Sequence, residues 1–238
     1  MRERLSQRTV DLGSGRIAHA SGAMWLPAES TVVIADVHLG YAWAMRRRRQ
    51  LGPVAEGGVR EKIRGVLREL QPRRVVLLGD VVHAARPHAA ERALVEDTLR
   101  EIAAGAELIV VRGNHDRLFA QDYGSLGLDT RDCWESDGVV AMHGDKPVPV
   151  SNKHVMIGHV HPALGVVDDA GASQRIPVFL VSENCTVLPA FSPFAAGFVI
   201  GPRLPDPLGS MFCTGEVEVV AASGKRAVRV GPLSRMRW

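Results

Sequence analysis

The chain has 238 residues, 46% of them hydrophobic and 23% charged, with a net charge of +3 and a pI near 9.0. That length and apolarity suffice to bury a large core, which excludes an intrinsically disordered chain and fits one domain spanning 1–238. The opening residues MRERLSQRTV are charged with no apolar h-region. The longest apolar stretch, PVFLVSENCTVLPAF, is broken by Glu183, Asn184 and Pro189, so the expectation is a soluble, cytoplasmic protein with no membrane span. Cys133, Cys185 and Cys213 form no CxxC pair and read as reduced, buried thiols.

In chain order, the stretch before Trp25 is expected to add edge strands. TVVIA then runs into Asp36, VVLL into Gly79, LIVV into Arg112 and VMI into Gly158. Apolar runs that short, bounded by Gly or polar residues, suit strands buried on both faces, with the polar residues projecting from their C-terminal ends into one crevice. Between these strands, 54–70 carries Val59, Ile63, Val66, Leu67 and Leu70 on one helical face, and 89–104 repeats the pattern with Leu94, Val95, Leu99 and Ile102. These are crossover helices of right-handed βαβ units, covering one face of a sheet. After Gly138, VVAMH, VMIGH, IPVFLV, TVLPA, GFVI, EVEVV and AVRV read as strands, the last two forming a hairpin across AASGKR. An α/β half followed by a β-rich half predicts an α/β fold of two packed sheets with helices outside.

The strand ends carry the chemistry. Five segments, ADVHLG, LLGDVVH, VRGNHD, MHGD and IGHVHP, supply Asp36 and His38, Asp80, Asn114 and His115, His143, and His159 with His161. In ADVHLG and GHVHP the polar residues stand at i and i+2, so in an extended chain both side chains of each pair point the same way, toward one cluster. Carboxylate, amide and imidazole donors suit two Mn, Fe or Zn ions better than the all-oxygen shells of Mg or Ca. A two-metal site clamps both oxygens of an in-line displacement at phosphorus, and Asp80 is the candidate bridging carboxylate.

In that order, DVH, GDVVH, GNHD, HGD and GHVH resemble the motif set of the calcineurin-like metallophosphoesterases, over about Val32 to Pro162. The resemblance implies a four-layer αββα sandwich and a metal-dependent phosphoesterase. It assigns Asp36, His38, Asp80 and His161 to a first divalent metal ion and Asp80, Asn114, His143 and His159 to a second, most suitably Mn2+. It makes His115 the acid that protonates the leaving oxygen and Asp116 its orienting partner; a carboxylate beside an imidazole does favour the proton-donating form. On that reading, two bound metal ions would lower the pKa of a water, which would attack phosphorus in line.

A narrower likeness rests on WLP before STVVIADVHLG, the approach to GPV, the GDVVHA turn and VLPAFSPFAAG. These are similar to the ligase-associated DNA damage response endonucleases, and the similarity implies DNA as substrate, with a ligase and a helicase as pathway partners. Tyr41 stands where that group has a basic residue. The basic run Arg46, Arg47, Arg48 and Arg49 is either a solvated face or a phosphate-gripping rim on which Tyr41 or Trp43 stacks against an unpaired base. His83 either contacts substrate or supports the ligands. Arg112 faces phosphate or pairs with an acid, and Asp145 orients His143 or shapes a turn. PAFSPF reads as buried packing. Three functions stay open: a DNA phosphodiesterase, the same site working on a small nucleotide-like diester or monoester, and a non-catalytic interaction module.

Overall fold

The computed structural model describes residues 6–47, 57–84, 86–147, 152–167, 170–195, 197–201, 204 and 215–236. Strands β1 (Thr9–Asp11), β2 (Ile17–His19) and β3 (Met24–Leu26) pair antiparallel and lead into β4 (Thr31–Ala35). From β4 the sheet continues parallel through β5 (Arg74–Leu78), β6 (Glu107–Val111) and β7 (Asp129–Arg131), so its seven strands lie in chain order. The N-terminal edge strands are thus present. Helices α1 (Tyr41–Arg47) and α2 (Gly57–Leu70) lie between β4 and β5, α3 (Ala89–Gly105) between β5 and β6, and α4 (Phe119–Tyr123) before β7.

The strands alternate between two cores. Val32, Ile34, Val75, Leu77, Leu108 and Val110 pack against Val59, Ile63 and Val66 of α2 and Val95, Leu99 and Ile102 of α3. Val33, Ala35, Val76, Leu78, Ile109 and Val111 face the second sheet. This is the period-two alternation of a strand buried on both faces, and it places both crossover helices on one side. Each such Val, Leu or Ile contributes about 1.5–3 kcal/mol relative to an exposed side chain. At the start of α3 the His88 N–H donates to Glu91 Oε2 at 3.3 Å, satisfying one of the amides that a helix N-terminus leaves without a partner.

The second sheet comprises β8 (Cys133–Glu135), β9 (Val139–Met142), β10 (His154–Ile157), β11 (Pro162–Val167), β12 (Ser173–Val181), β13 (Cys185–Val187), β14 (Phe198–Val199), β15 (Glu218–Ala222) and β16 (Ala227–Pro232). Its main path runs β14-β11-β12-β13-β10-β9-β8, with β15 on β12 and β16 on β15. Strands β9, β10 and β13 are parallel, and β15 and β16 form the expected hairpin. Trp134, Ala141, Met156, Phe179 and Val220 fill the space between the sheets. The outer face carries Val155, Ile157, Leu180 and Val187, covered among the described residues by Ile200, Leu204, Leu233 and Met236. The α/β sandwich of two sheets with helices outside is therefore the observed fold. No helix among the described residues is long and apolar enough to cross a membrane.

Candidate metal centre

All five motif segments leave strand ends at one edge of the sandwich: Asp36 follows β4, Asp80 follows β5, Asn114 and His115 follow β6, His143 follows β9, and His159 and His161 follow β10. Backbone hydrogen bonds hold these turns together beyond the strands. Asp36 N–H donates to the Gly79 carbonyl at 3.2 Å, His38 N–H to Asp80 O at 2.9 Å, Leu39 N–H to Val81 O at 2.8 Å, and Gly158 N–H to His143 O at 3.0 Å. The VLPAFSPF segment braces the first turn from the other side, with Phe191 N–H on Ala35 O at 2.9 Å and Ser192 N–H on Asp36 O at 3.2 Å.

Asp36, His38, Asp80, His159 and His161 all have φ between 47° and 67°, five of the eight non-glycine residues with positive φ among those described. Left-handed backbone costs a residue with a Cβ about 1 kcal/mol or more and concentrates where function fixes geometry. It also corrects the extended-chain argument for the i, i+2 pairs. Asp36 and His38 do join one cluster, with His161, but His159 and His161 part company: His159 faces Asp80 and His143 instead. Left-handed turns, not strand alternation, aim these side chains.

Within the two clusters, donor atoms converge. His143 Nε2 lies 3.0 Å from Asn114 Oδ1, 3.1 Å from His159 Nδ1 and 3.3 Å from Asp80 Oδ1. His161 Nε2 stands 3.1 Å from Asp36 Oδ1. Asp80 lies between the groups, its other oxygen 3.9 Å from His38 Nε2. Ligands about 2.1 Å from one cation and at right angles about it are spaced by about 3 Å, so these separations fit cation-binding shells. Nδ1 of His38 and Nδ1 of His143 are buried without a hydrogen-bond partner among the described residues, the usual mark of donors built for something other than each other.

Charge is concentrated here. Burial pushes the Asp80 carboxyl upward, but the hydrogen bond and charge of His143 and the His115 N–H, donated at 2.9 Å, outweigh it and hold Asp80 well below the usual carboxylate range. Burial opposes protonation of His143, yet Asp80 and Asp36 raise it to about 8. His38 moves to about 4, because its burial outweighs the same two carboxylates. Such divergent shifts in one crevice are characteristic of functional sites.

His115 sits at the rim. Its Nδ1 meets the His83 carbonyl at 2.9 Å; a carbonyl only accepts, so the proton is on Nδ1 and Nε2 faces the crevice, 4.0 Å from Asp80 Oδ2. The expected pairing with Asp116 is not the observed one. Asp116 is buried and accepts N–H groups from Gly113 at 2.9 Å, Val82 at 3.1 Å and Val81 at 3.2 Å, so it ties the GNHD turn to the GDVVH turn. Three backbone donors saturate a carboxylate that would otherwise be stranded, and burial raises it to about 6 in spite of them. His83 touches His115 through its carbonyl. Its ring packs 5.4 Å from those of His38 and His115, and the three imidazoles form a further group with metal-ligand spacing.

Arg112 pairs with Asp132 at 2.8 Å rather than standing free for phosphate. Asp145 is exposed in a bend and makes no hydrogen bond to His143. The Arg46 guanidinium stands 5.6 Å from the Trp43 ring. The side chain of Arg47, and Arg48 and Arg49 altogether, lie outside the described residues. Phe191 and Ser192 are buried as expected of PAFSPF. What sequence reasoning missed is an aromatic chain, His83 to Tyr41 at 4.6 Å and Tyr41 stacked on Phe194 at 5.8 Å, which puts an aromatic pair where a basic residue was expected. Nothing local in the sequence joins positions 41 and 194.

The profile of the calcineurin-like phosphoesterase family matches residues 30–175, well over half of the chain. A search of curated proteins gave no match. Among solved structures, the crystal structure of Pseudomonas putida nuclease MPE is similar, with a TM-score of 0.70 at 24% identity, covering 95% of this chain and 99% of that one. At that identity the likeness is one of fold. The family match spans every strand-end motif described above, and the chain belongs to the calcineurin-like phosphoesterase family and is a metal-dependent phosphoesterase.

Proposed function

We propose that this protein is a phosphodiesterase with two metal ions that cuts DNA, as a repair endonuclease acting on single-stranded or otherwise accessible segments, with residues 1–238 as one catalytic domain in the cytoplasm. The observation that carries the proposal is the convergence of Asp36, His38 and His161 on one side of Asp80 and of Asn114, His143 and His159 on the other. The first group with Asp80 would hold one ion and the second, sharing Asp80, the other. Their mixed nitrogen and oxygen donors favour Mn2+, with Fe or Zn as alternatives. Bound there, two divalent cations supply Lewis acidity and a water acidic enough to attack at neutral pH. That the structural neighbour is a nuclease, together with the motif resemblance to DNA damage response endonucleases, supports DNA as the substrate, and the same resemblance points to a ligase and a helicase as pathway partners.

The chain's own groups then complete the reaction. With Nδ1 held by the His83 carbonyl, protonated His115 presents Nε2–H to the departing oxygen as the P–O bond breaks. Asp116 keeps the turn that carries His115 and Asn114 against the Asp80 turn. Substrate choice is decided by kcat/KM with Mn2+ on single-stranded DNA, duplex DNA, a cyclic nucleotide and a nitrophenyl monoester. DNA should lead. A preference for the cyclic nucleotide or the monoester would give the small-substrate function its place.

A further inference from the structure

Beside the metal centre runs an open groove whose walls include Asn114 and Asp116 of the GNHD motif, Arg117, Lys146 and the Arg112–Asp132 ion pair. Its charges are unevenly committed. Asp132 is taken by Arg112, and Asp116 by three backbone N–H groups. Arg117 and Lys146 are both exposed, and among the described residues neither makes a hydrogen bond or ion pair. Asp145, exposed on the same wall, and the buried Asp116 carboxylate oppose them. Two uncommitted cations on a concave wall that begins at a candidate metal ligand have the chemistry of an anion path leading into the reacting centre.

We propose that Arg117 and Lys146 bind a backbone phosphate flanking the one that reacts, so that a nucleic-acid strand leaves the metal centre along this groove. The inference rests on the DNA phosphodiesterase function proposed above and adds the direction in which the strand lies. The basic run 46–49 is separate in sequence from both residues, and the groove needs none of it.

Binding and turnover test it separately. Affinity of the Mn-loaded protein for a slowly cleaved, phosphorothioate-linked single-stranded oligonucleotide is measured across a salt series, for wild type and for Arg117→Ser/Lys146→Ser. Without these two cations on that one phosphate, binding should weaken by about tenfold and the slope of log K against log salt should flatten by about 0.7. The charge-preserving Arg117→Lys/Lys146→Arg should restore both. Unchanged affinity and slope in the Ser variant would overturn the groove assignment while leaving the nuclease function standing, and so would a loss that the charge-preserving variant fails to restore. A wild type that binds the oligonucleotide through these residues but never cleaves the ordinary phosphodiester would keep the groove and remove the nuclease.

Discussion

The His83 carbonyl fixes the His115 proton on Nδ1, which leaves Nε2 as the atom to meet a leaving oxygen in the proposed mechanism. Substituting His115→Ala should leave the metal donors in place and remove only that proton. Activity on DNA should fall by about 10²–10⁴-fold, whereas a nitrophenyl diester, whose leaving group needs little protonation, should lose far less. Equal losses on both substrates would end the acid assignment. Asp80→Asn is the complementary change. Its carboxylate stands between the two donor groups and is kept ionised by His143 and His115, so the amide should reduce bound metal below two ions and lower activity by more than about a hundredfold. Metal content of the purified variant decides it; two retained ions would show that Asp80 is no bridge. At this scale the sequence revealed residue types better than pairings. Asp116 stands next to His115 in the chain, yet neighbouring residues on a turn point apart, and three backbone amides claimed the carboxylate.

At the level of elements, β4, β5, β6 and β10 were legible because a strand buried on both faces leaves an unbroken apolar run ending at a polar motif. Helices α2 and α3 were legible from 3.6-residue spacing. Short pieces were not: α1, α4, β7 and β8 have three to seven residues, too few for a period to show, and are held by tertiary packing. Close approach between turns was also hidden. A Cβ on Gly113 would overlap the Asp80 backbone nitrogen and Oδ1, so Gly113→Ala should push Asp80 out of place and lower metal occupancy while the fold survives by circular dichroism. Full occupancy would mean the turn relaxes freely.

The link between α2 and the PAFSPF segment makes a second prediction at this scale. Lys62 Nζ donates to the Phe191 carbonyl at 2.6 Å, over the Phe191 ring, and burial lowers its pKa from 10.5 to about 8. Between those values the unfolded chain binds more protons than the folded one, so stability should rise with pH by up to about 1.4 kcal/mol per unit relative to Lys62→Met, and level off above about 10.5. Urea unfolding of both proteins from pH 7 to 10 measures the difference. A flat difference would show Lys62 to be ordinarily solvated.

For the whole molecule, the centre belongs to neither sheet alone. Asp36, Asp80 and Asn114 extend from the first sheet, and His143, His159 and His161 from the second. Sequence showed which residues gather, since each motif ends a strand, but not that the gathering depends on two sheets meeting across Met156, Trp134 and Phe179. Uncommitted cations such as Arg117 and Lys146 were equally hidden, because exposure and lack of a partner are properties of the folded surface. An unfolded chain scatters the donors along its length and holds no such site, so metal binding should be tied to folding. With each ion at about 100 times its Kd the folded state gains about 2.7 kcal/mol per site, and for a chain of this size each kcal/mol raises Tm by about 2–4 °C. Chelation should therefore lower Tm by about 5–10 °C per ion, with Mn2+ restoring it, and Asp80→Asn should show a much smaller response. A wild type whose activity requires Mn2+ but whose Tm ignores it would mean that the ions bind with little affinity outside turnover, and that substrate completes their coordination.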